Sequence, residues 1–464
     1  MAGAVEKRGD RGSDIGLEIG GALAPPLPLA HGVERSEVEQ ALQQLAPVVP
    51  QLLGRQAPSG FLRVVRRASV LREVLRVSES WRRRRVEDVI HVGIGGSSLG
   101  AETLLRALAH PYRNLQERRQ RGGPRIHFVD NVDPDSLGAL LEVVDPGRSL
   151  VHVVSKSGGT AETAAGFQVL RAALGPRVWR RRVIFTTGSG ALARLARQEG
   201  LETLAFPRDI GGRFSVLTAS GLLTPALAGV DVAGVVAGAR RMLARVRGPV
   251  TKSPSAVAAA VAWLLAERRG KPIQVLMPYA DALEPLARWN VQLVAESLGK
   301  RTRRGGQEIG VGPTPLAARG ATDQHSQVQL FVDGPADKLV TFVRVNQSGR
   351  RVPIPAGPPA SYLEGVELGT LLRAEQHGTA VALARAARPS LCWELPRLDA
   401  GTLGQLFLAL EVQTACQAAL FGVDAYDQPG VEAGKEAAFA LIGREGYEQA
   451  RAEIDRSEPP RWAL

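Results

Sequence analysis

Between residues 88 and 210 the chain alternates two kinds of apolar pattern. Short β-branched runs, DVIHVG, RIHFVDN, SLVHVVS and RVIFTTG, predict strands. Longer stretches with apolar residues every three or four positions, LGAETLLRALAH, PDSLGALLEVV, TAETAAGFQVLRAALG and ALARLARQEG, predict helices. Strands that alternate with helices predict a parallel sheet covered on both faces. A second alternating region starts with PIQVLMPY at 272–279. It passes through the helical PLARWNVQLVAESLGK to two strand-like runs, QVQLFVDG and LVTFVRV. The helical ASGLLTPALAGVDVAGVVAGARRMLARV lies between the two regions. A long helix, LGQLFLALEVQTACQAALFG, follows them, with a loop and a further helix, KEAAFALIG. Residues 1–34 are rich in Gly and Pro and read as loosely ordered, while VEQALQQLAPVVPQLLG is amphipathic and helical. The expected fold class is α/β, with two parallel-sheet domains and helical terminal segments. The expected bounds are 1–60 for the N-terminal segment, 61–210 and 211–400 for the domains, and 401–464 for the C-terminal segment.

Composition narrows the function classes. A chain of 464 residues is long for one core, and 44% hydrophobic with 22% charged residues is ordinary for a soluble globular protein. No apolar run is long enough to span a bilayer, and MAGAVEKRGDRGSDIG lacks the apolar stretch of a secretory signal. Cys392 and Cys416 stand far from any C-x-x-C pattern or histidine, so neither a disulfide framework nor a structural zinc site is expected, and a reducing cytoplasm is the default. The net charge of +12 comes from 51 arginines and 7 lysines, with runs such as WRRRR at 81–85, WRRR at 179–182 and KRTRR at 300–304. No aromatics are interleaved with these runs as a single-strand surface requires, so a solvated basic surface is expected and no nucleic-acid partner. Three of the scarce lysines, Lys156, Lys300 and Lys435, fall inside the motifs that follow.

The first strand ends in HVGIGGSSLG. A dinucleotide fingerprint needs glycine at position 98, where Ser98 stands, and Asp130 lies too far on for the ribose acid. No Gly-Lys-Ser/Thr follows, so a Walker loop is excluded too. A strand, a flexible turn, two hydroxyls (Ser97, Ser98) and a helix start remain, which suits a single phosphate monoester. The third strand ends in SKSGGTAET, where Ser155, Lys156, Ser157 and Thr160 crowd into six residues before a helix. Ser and Thr also cap helices, but four such side chains including a lysine exceed what capping needs. Two such loops on one sheet suggest one ligand phosphate at a switch point. Further polar residues stand out: Arg213 after the Gly211–Gly212 pair, Glu296 at the end of an amphipathic helix, His325 beside Asp323 and Ser326, and Gln428, Glu432 and Lys435 around a Pro-Gly turn.

Read together, the blocks GIGGSSLG, SKSGGTAET, IGGRFSVLTASG, ESLGK, TDQHS and YDQPGVEAGK resemble, in order, those of the glucose-6-phosphate isomerase (phosphoglucose isomerase) family of two-domain type. The resemblance runs from about residue 91 to 435. It implies a pair of sugar-isomerase (SIS) α/β domains and a homodimer in which His325 serves the neighbouring active site. It implies that Ser97, Ser155, Lys156, Ser157, Thr160 and Gln428 bind the substrate phosphate, supported by Gly96 and Gly212. Glu296 resembles the base that moves a proton between C2 and C1, and Arg213 the residue that stabilises the cis-enediolate. His325 and Lys435 resemble the pair that opens the sugar ring, with Glu162 orienting the histidine. The implied reaction, between glucose 6-phosphate and fructose 6-phosphate, needs no redox cofactor and no metal. The alternatives are an isomerase that also accepts mannose 6-phosphate, a non-catalytic sugar-phosphate sensor, an RNA-binding role for the arginine runs, and a metal-dependent cupin-type isomerase. The last is disfavoured because the seven histidines show no clustered ligand pattern.

Overall fold

The structure is a computed structural model that describes residues 13–54 and 57–456. The stretch at 1–12, expected to lack a secretory signal, lies outside the described residues, as do 55–56 and 457–464 at the ends of the terminal segments. A short strand, β1 (Gly16–Glu18), comes first. Next come β2 (Asp88–Val92), β3 (Arg125–Val129), β4 (Ser149–Ser155), β5 (Val183–Thr187) and β6 (Glu202–Ala205). These last five form one sheet in the order β3-β2-β4-β5-β6, with every pair parallel. Each residue of β2, β4 and β5 is buried, as expected for a sheet with helices on both faces.

The second region contains β7 (Ile273–Pro278), β8 (Lys300–Thr302), β9 (Glu308–Val311), β10 (Thr314–Ala317), β11 (Lys338–Gln347) and β12 (Ser390–Arg397). Strands β7, β10, β11 and β12 pair in parallel, and β8 and β9 form a separate antiparallel pair. The sheet order is β1-β12-β11-β7-β10, with β1 antiparallel to β12. Two expectations are corrected here. Residues 13–34 are not loose: β1 forms the sheet edge, and Ile15, Ala22, Leu23, Leu27 and Val33 are buried. The run QVQLFVDG is not a strand but contains the helix Val328–Asp333. Its inward residues, Val328, Phe331 and Val332, follow the i, i+3, i+4 spacing of a helix, and Leu330 is half exposed.

Two long helical patterns are each interrupted by backbone chemistry. VEQALQQLAPVVPQLLG splits into Arg35–Leu45 and Val48–Leu52 at Pro47. The stretch between the sheets splits into Ala219–Leu227 and Val232–Val246 at Gly229, whose φ of +91° suits only glycine, and Asp231 then caps the second helix. The helix Ala400–Phe421 runs through the common core. Its Phe407 ring meets Trp289 edge-on, with centroids 4.7 Å apart.

That helix also buries a carboxylic acid. Glu411 is fully buried, and neither carboxyl oxygen has a hydrogen-bond partner among the described residues. Burial pushes its pKa well above the usual carboxylate range. A folded-state pKa above the unfolded one favours folding fully below the unfolded value, and the benefit is lost as pH rises. Glu411→Gln removes the titration at similar shape. The variant should match the parent near about pH 4 and exceed its melting temperature by a few degrees near about pH 8. Thermal melts across that range check this, and a gap that does not change with pH would contradict it.

Candidate active site

The first loop follows β2, and its glycines are there for close approach. A Cβ on Gly93 would sit 2.8 Å from the Ser97 carbonyl oxygen. One on Gly95, where φ is +57°, would sit 2.8 Å from Gln292 Nε2. One on Gly96 would sit 2.1 Å from the Gly212 carbonyl carbon. The turn is therefore pressed against a second turn, 209–214, and against the helix Glu284–Leu298. His91 Nε2 lies 2.7 Å from the Ser97 carbonyl. The Ser97 hydroxyl has no partner among the described residues, and Ser98 Oγ is buried without one among them.

The second loop folds around Ser155 at the end of β4. Its hydroxyl accepts the Gly158 N–H at 3.1 Å and meets Thr160 Oγ1 at 3.3 Å, while Thr187 donates to its carbonyl at 2.8 Å. Ser157 is exposed and accepts the Gly159 N–H at 3.3 Å. Thr160 precedes the helix Ala161–Leu174 but makes no capping bond with its side chain, which leaves the first N–H groups of that helix open to an anion. Lys156 Nζ donates to the Ile210 carbonyl at 2.7 Å, so this loop also leans on the 209–214 turn. Burial pushes the Lys156 ammonium below its ordinary pKa; Asp209 opposes the shift and Arg213 adds to it. Glu162 sits in the first turn of the helix with no hydrogen bond to the described residues.

Arg213 joins the turn to the rest of the chain. Its side chain is 1% exposed, and all five N–H donors are used. Nε donates to Ser297 Oγ at 2.8 Å. Nη1 donates to Glu296 Oε2 at 3.0 Å and to Gln428 Oε1 at 2.7 Å. Nη2 donates to the carbonyls of Ala425 and of Asp427, the latter at 3.0 Å. Burial lowers the guanidinium's pKa, and Glu296 counters it. The second Glu296 oxygen accepts from Gln292 Nε2 at 2.9 Å, and the carboxylate remains 29% exposed. Lys300 ties the same pieces together, donating to the Glu296 carbonyl at 2.8 Å and pairing with Asp427 Oδ1 at 2.8 Å.

The structure thus brings Arg213, Glu296 and Gln428 into direct contact, joins Gly96 to Gly212, and links Lys156 to the same turn. It does not bring in three of the expected residues, of which Glu162 is one. His325 is exposed in the turn Thr322–His325 and bonds to none of this group. Lys435 is exposed and pairs with Glu432 at 2.9 Å. Gln292, Ser297 and Asp427 were missed as site residues. Gln292 could have been found from its i−4 spacing to Glu296 on an amphipathic helix. Among the described residues no three His, Cys, Asp or Glu side chains cluster as a metal requires, and no helix is long and apolar enough to cross a membrane.

Two α/β sheets, with polar loops gathered at the strand ends around a buried arginine–carboxylate pair, define the class: an α/β protein whose site lies where the turns of the first sheet meet a helix of the second. The chain belongs to the phosphoglucose isomerase family, whose sequence model matches residues 65–353 and 376–458. It is 45% identical over 431 residues to the glucose-6-phosphate isomerase of Rubrobacter xylanophilus, covering 91% of this chain and 97% of that one. It is 40% identical over 387 residues to the glucose-6-phosphate isomerase of Thermus thermophilus, covering 81% and 88%. Among solved structures, a hypothetical protein from Thermus thermophilus superposes with a TM-score of 0.82 at 36% identity, over 92% of this chain and 100% of that one. A glucose-6-phosphate isomerase from Chlamydia trachomatis shares the fold, with a TM-score of 0.76 at 23% identity over 92% and 90%.

The contact between the two turns makes a direct test. Gly96→Ala forces a Cβ into the Gly212 backbone and should destabilise the protein by about 1–3 kcal/mol. Gly138→Ala, in an exposed helix with nothing within 4 Å, should instead stabilise it by about 0.5–1 kcal/mol. Denaturant unfolding of both variants reads the contrast.

Proposed function

We propose that the protein interconverts glucose 6-phosphate and fructose 6-phosphate, a step of glycolysis and gluconeogenesis, through ring opening and a cis-enediolate. The observation that carries the mechanism is the Arg213–Glu296 pair beside two phosphate-seeking loops. Relatives that match over most of their length are named for this isomerase activity, which disfavours a binding-only role.

Ser97, Ser155, Lys156, Ser157 and Thr160, with Gln428 nearby, hold the phosphate, and the N-terminus of the helix Ala161–Leu174 adds partial positive charge. Glu296 removes the proton from C2 and returns it to C1 on the same face. Its partly exposed carboxylate, held at both oxygens, supports this role. Arg213 stabilises the enediolate chiefly as a charge, because every donor it has is already engaged. Before the reaction, Glu296 balances that charge. Once Glu296 takes the proton, the guanidinium loses its bonded counter-charge, with only Asp427 and Asp424 still opposing it, at the moment negative charge appears on the substrate, so the stabilisation favours the transition state.

His325 and Lys435 open the ring, and Glu162 orients the histidine. The exposure of His325, away from Arg213 and Glu296 of its own chain, supports its use by a second subunit of a homodimer.

Glu296→Gln should cut turnover by orders of magnitude in an assay of fructose 6-phosphate formation without added metal, while sugar-phosphate binding persists. Normal turnover in that variant would refute the mechanism. Subunit sharing has its own test. Glu296→Gln and His325→Ala homodimers are each expected to be inactive. Mixed and reassociated, they should regain about a quarter of parental activity, since half the dimers are mixed and each mixed dimer has one intact site. No recovery after verified exchange would place His325 in its own subunit's site.

A further inference from the structure

Beneath the first loop lies a buried polar chain that the proposed mechanism does not use. His91 on β2 and His152 on β4 are both fully buried, with their rings edge-on at 5.1 Å. Their Nδ1 atoms each lie 2.8 Å from the same hydroxyl, that of Thr224 in the helix Ala219–Leu227. His152 Nε2 lies 2.8 Å from Thr186 Oγ1 on β5, and His91 Nε2 lies 2.7 Å from the Ser97 carbonyl. No acidic side chain bonds to either ring among the described residues.

One end of the chain fixes the order of its protons. A carbonyl only accepts, so His91 Nε2 carries the hydrogen and donates it to Ser97. In the neutral ring, Nδ1 is then an acceptor, and Thr224 must donate its single hydroxyl proton to it. The Thr224 oxygen can only accept from the other side, so His152 Nδ1 carries a hydrogen. His152 Nε2 is therefore an acceptor, and Thr186 donates to it. Both rings are neutral: burial pushes His91 down to about 4, with the Ser97 carbonyl opposing, and pushes His152 well below its ordinary value. The four bonds are compatible with one tautomer at each ring.

We propose that His91 is a positioning residue for the phosphate site: through its Nε2–H bond it holds the Ser97 carbonyl inward, in a register locked by Thr224, His152 and Thr186. The Ser97 hydroxyl, unpartnered among the described residues, is thereby held in one place and available to a ligand. The far end of the chain reaches the second loop. Thr186 is followed by Thr187, whose hydroxyl holds the Ser155 carbonyl at 2.8 Å. The same strands therefore pin the carbonyls of Ser97 and Ser155, one serine in each of the two loops. The inference rests on the reading of those loops as phosphate-binding.

The test compares amide replacements. The amide nitrogen of Gln reaches the place of Nε2, and that of Asn the place of Nδ1. His91→Asn should raise the KM for glucose 6-phosphate and the inhibition constant of inorganic phosphate by roughly five- to tenfold, the worth of one buried hydrogen bond, with kcat changed by less than about twofold. His91→Gln should restore both constants to within about twofold of the parent. Thr224→Val and Thr224→Ser form a second pair, with the same contrast expected if His91→Asn does not fold. Equal phosphate constants in both members of each pair, whatever their melting temperatures, would reduce the chain to core packing and overturn the proposal. Direct binding of inorganic phosphate, followed by calorimetry, separates the two readings. A parent that binds phosphate without isomerase activity overturns the proposed reaction but leaves this comparison decisive, whereas an active parent that binds no phosphate overturns this inference and leaves the reaction standing.

Discussion

The buried guanidinium of Arg213 is the constraint on which the arrangement of the chain around it depends. An unpaired charge at that depth would cost several kcal/mol, and the cost is offset only if each donor finds an acceptor in good geometry. Those acceptors come from far apart in sequence: Ser297 and Glu296 from the end of one helix, Gln428 and two carbonyls from the loop near residue 426. The 209–214 turn, a helix of the second region and the C-terminal loop must therefore converge at one point. Lys300 bonds across the same junction, and Phe214 packs between Phe61 and Tyr426, with centroids at 4.8 and 5.6 Å. The first loop is drawn in because Gly96 leaves no side chain between itself and Gly212.

Much of the scaffold was legible in the sequence because its strands are buried on both faces and so read as mainly apolar, β-branched runs. β2, β4, β5 and β7 belong to this kind. Short edge strands were not legible. β1 has three residues, and β10 (TPLA) carries a proline; each is held by its neighbour in the sheet and not by its own pattern. Within the site, Arg213, Glu296 and Gln428 stood out as polar residues in apolar settings. Ser297 and Asp427 did not, because a serine at a helix end and an aspartate in a loop are ordinary, and their use depends on where Arg213 lands. His91 and His152 were hidden for the opposite reason: they occupy interior positions of strands that otherwise read as core.

The arginine runs show how a basic composition is accommodated on a folded surface. The tryptophan at the head of WRRRR, Trp81, is buried and donates to Glu202 at 2.9 Å, and the Arg84 guanidinium lies 4.2 Å from its ring centroid. Trp179, at the head of the second run, is buried as well, with Arg171 at 4.3 Å and Arg180 at 5.0 Å. Each ring is thus covered by cations from its own run or a neighbouring helix and is unavailable to stack on a base.

The interior holds polar groups on three different terms, and the contrast explains where rigidity is placed. Arg213 is charged and has every donor satisfied, so it fixes the geometry around it. The His91–Thr224–His152–Thr186 chain is neutral, and its order follows from a single carbonyl; breaking any bond leaves a buried partner unmatched. Glu411 has no partner among the described residues and escapes the cost of a buried charge by keeping its proton, so it fixes no neighbour among them. The two satisfied clusters both end on the loops of the first sheet, one through the Gly96–Gly212 contact and one through the Ser97 carbonyl. Under the proposed phosphate-binding role, the Ser97 hydroxyl can stay unpartnered among the described residues because the backbone that carries it is held from the inside. Flexible glycines and a rigid position for Ser97 are therefore compatible: the glycines permit the close approach, and the buried bonds select one conformation from those the glycines allow.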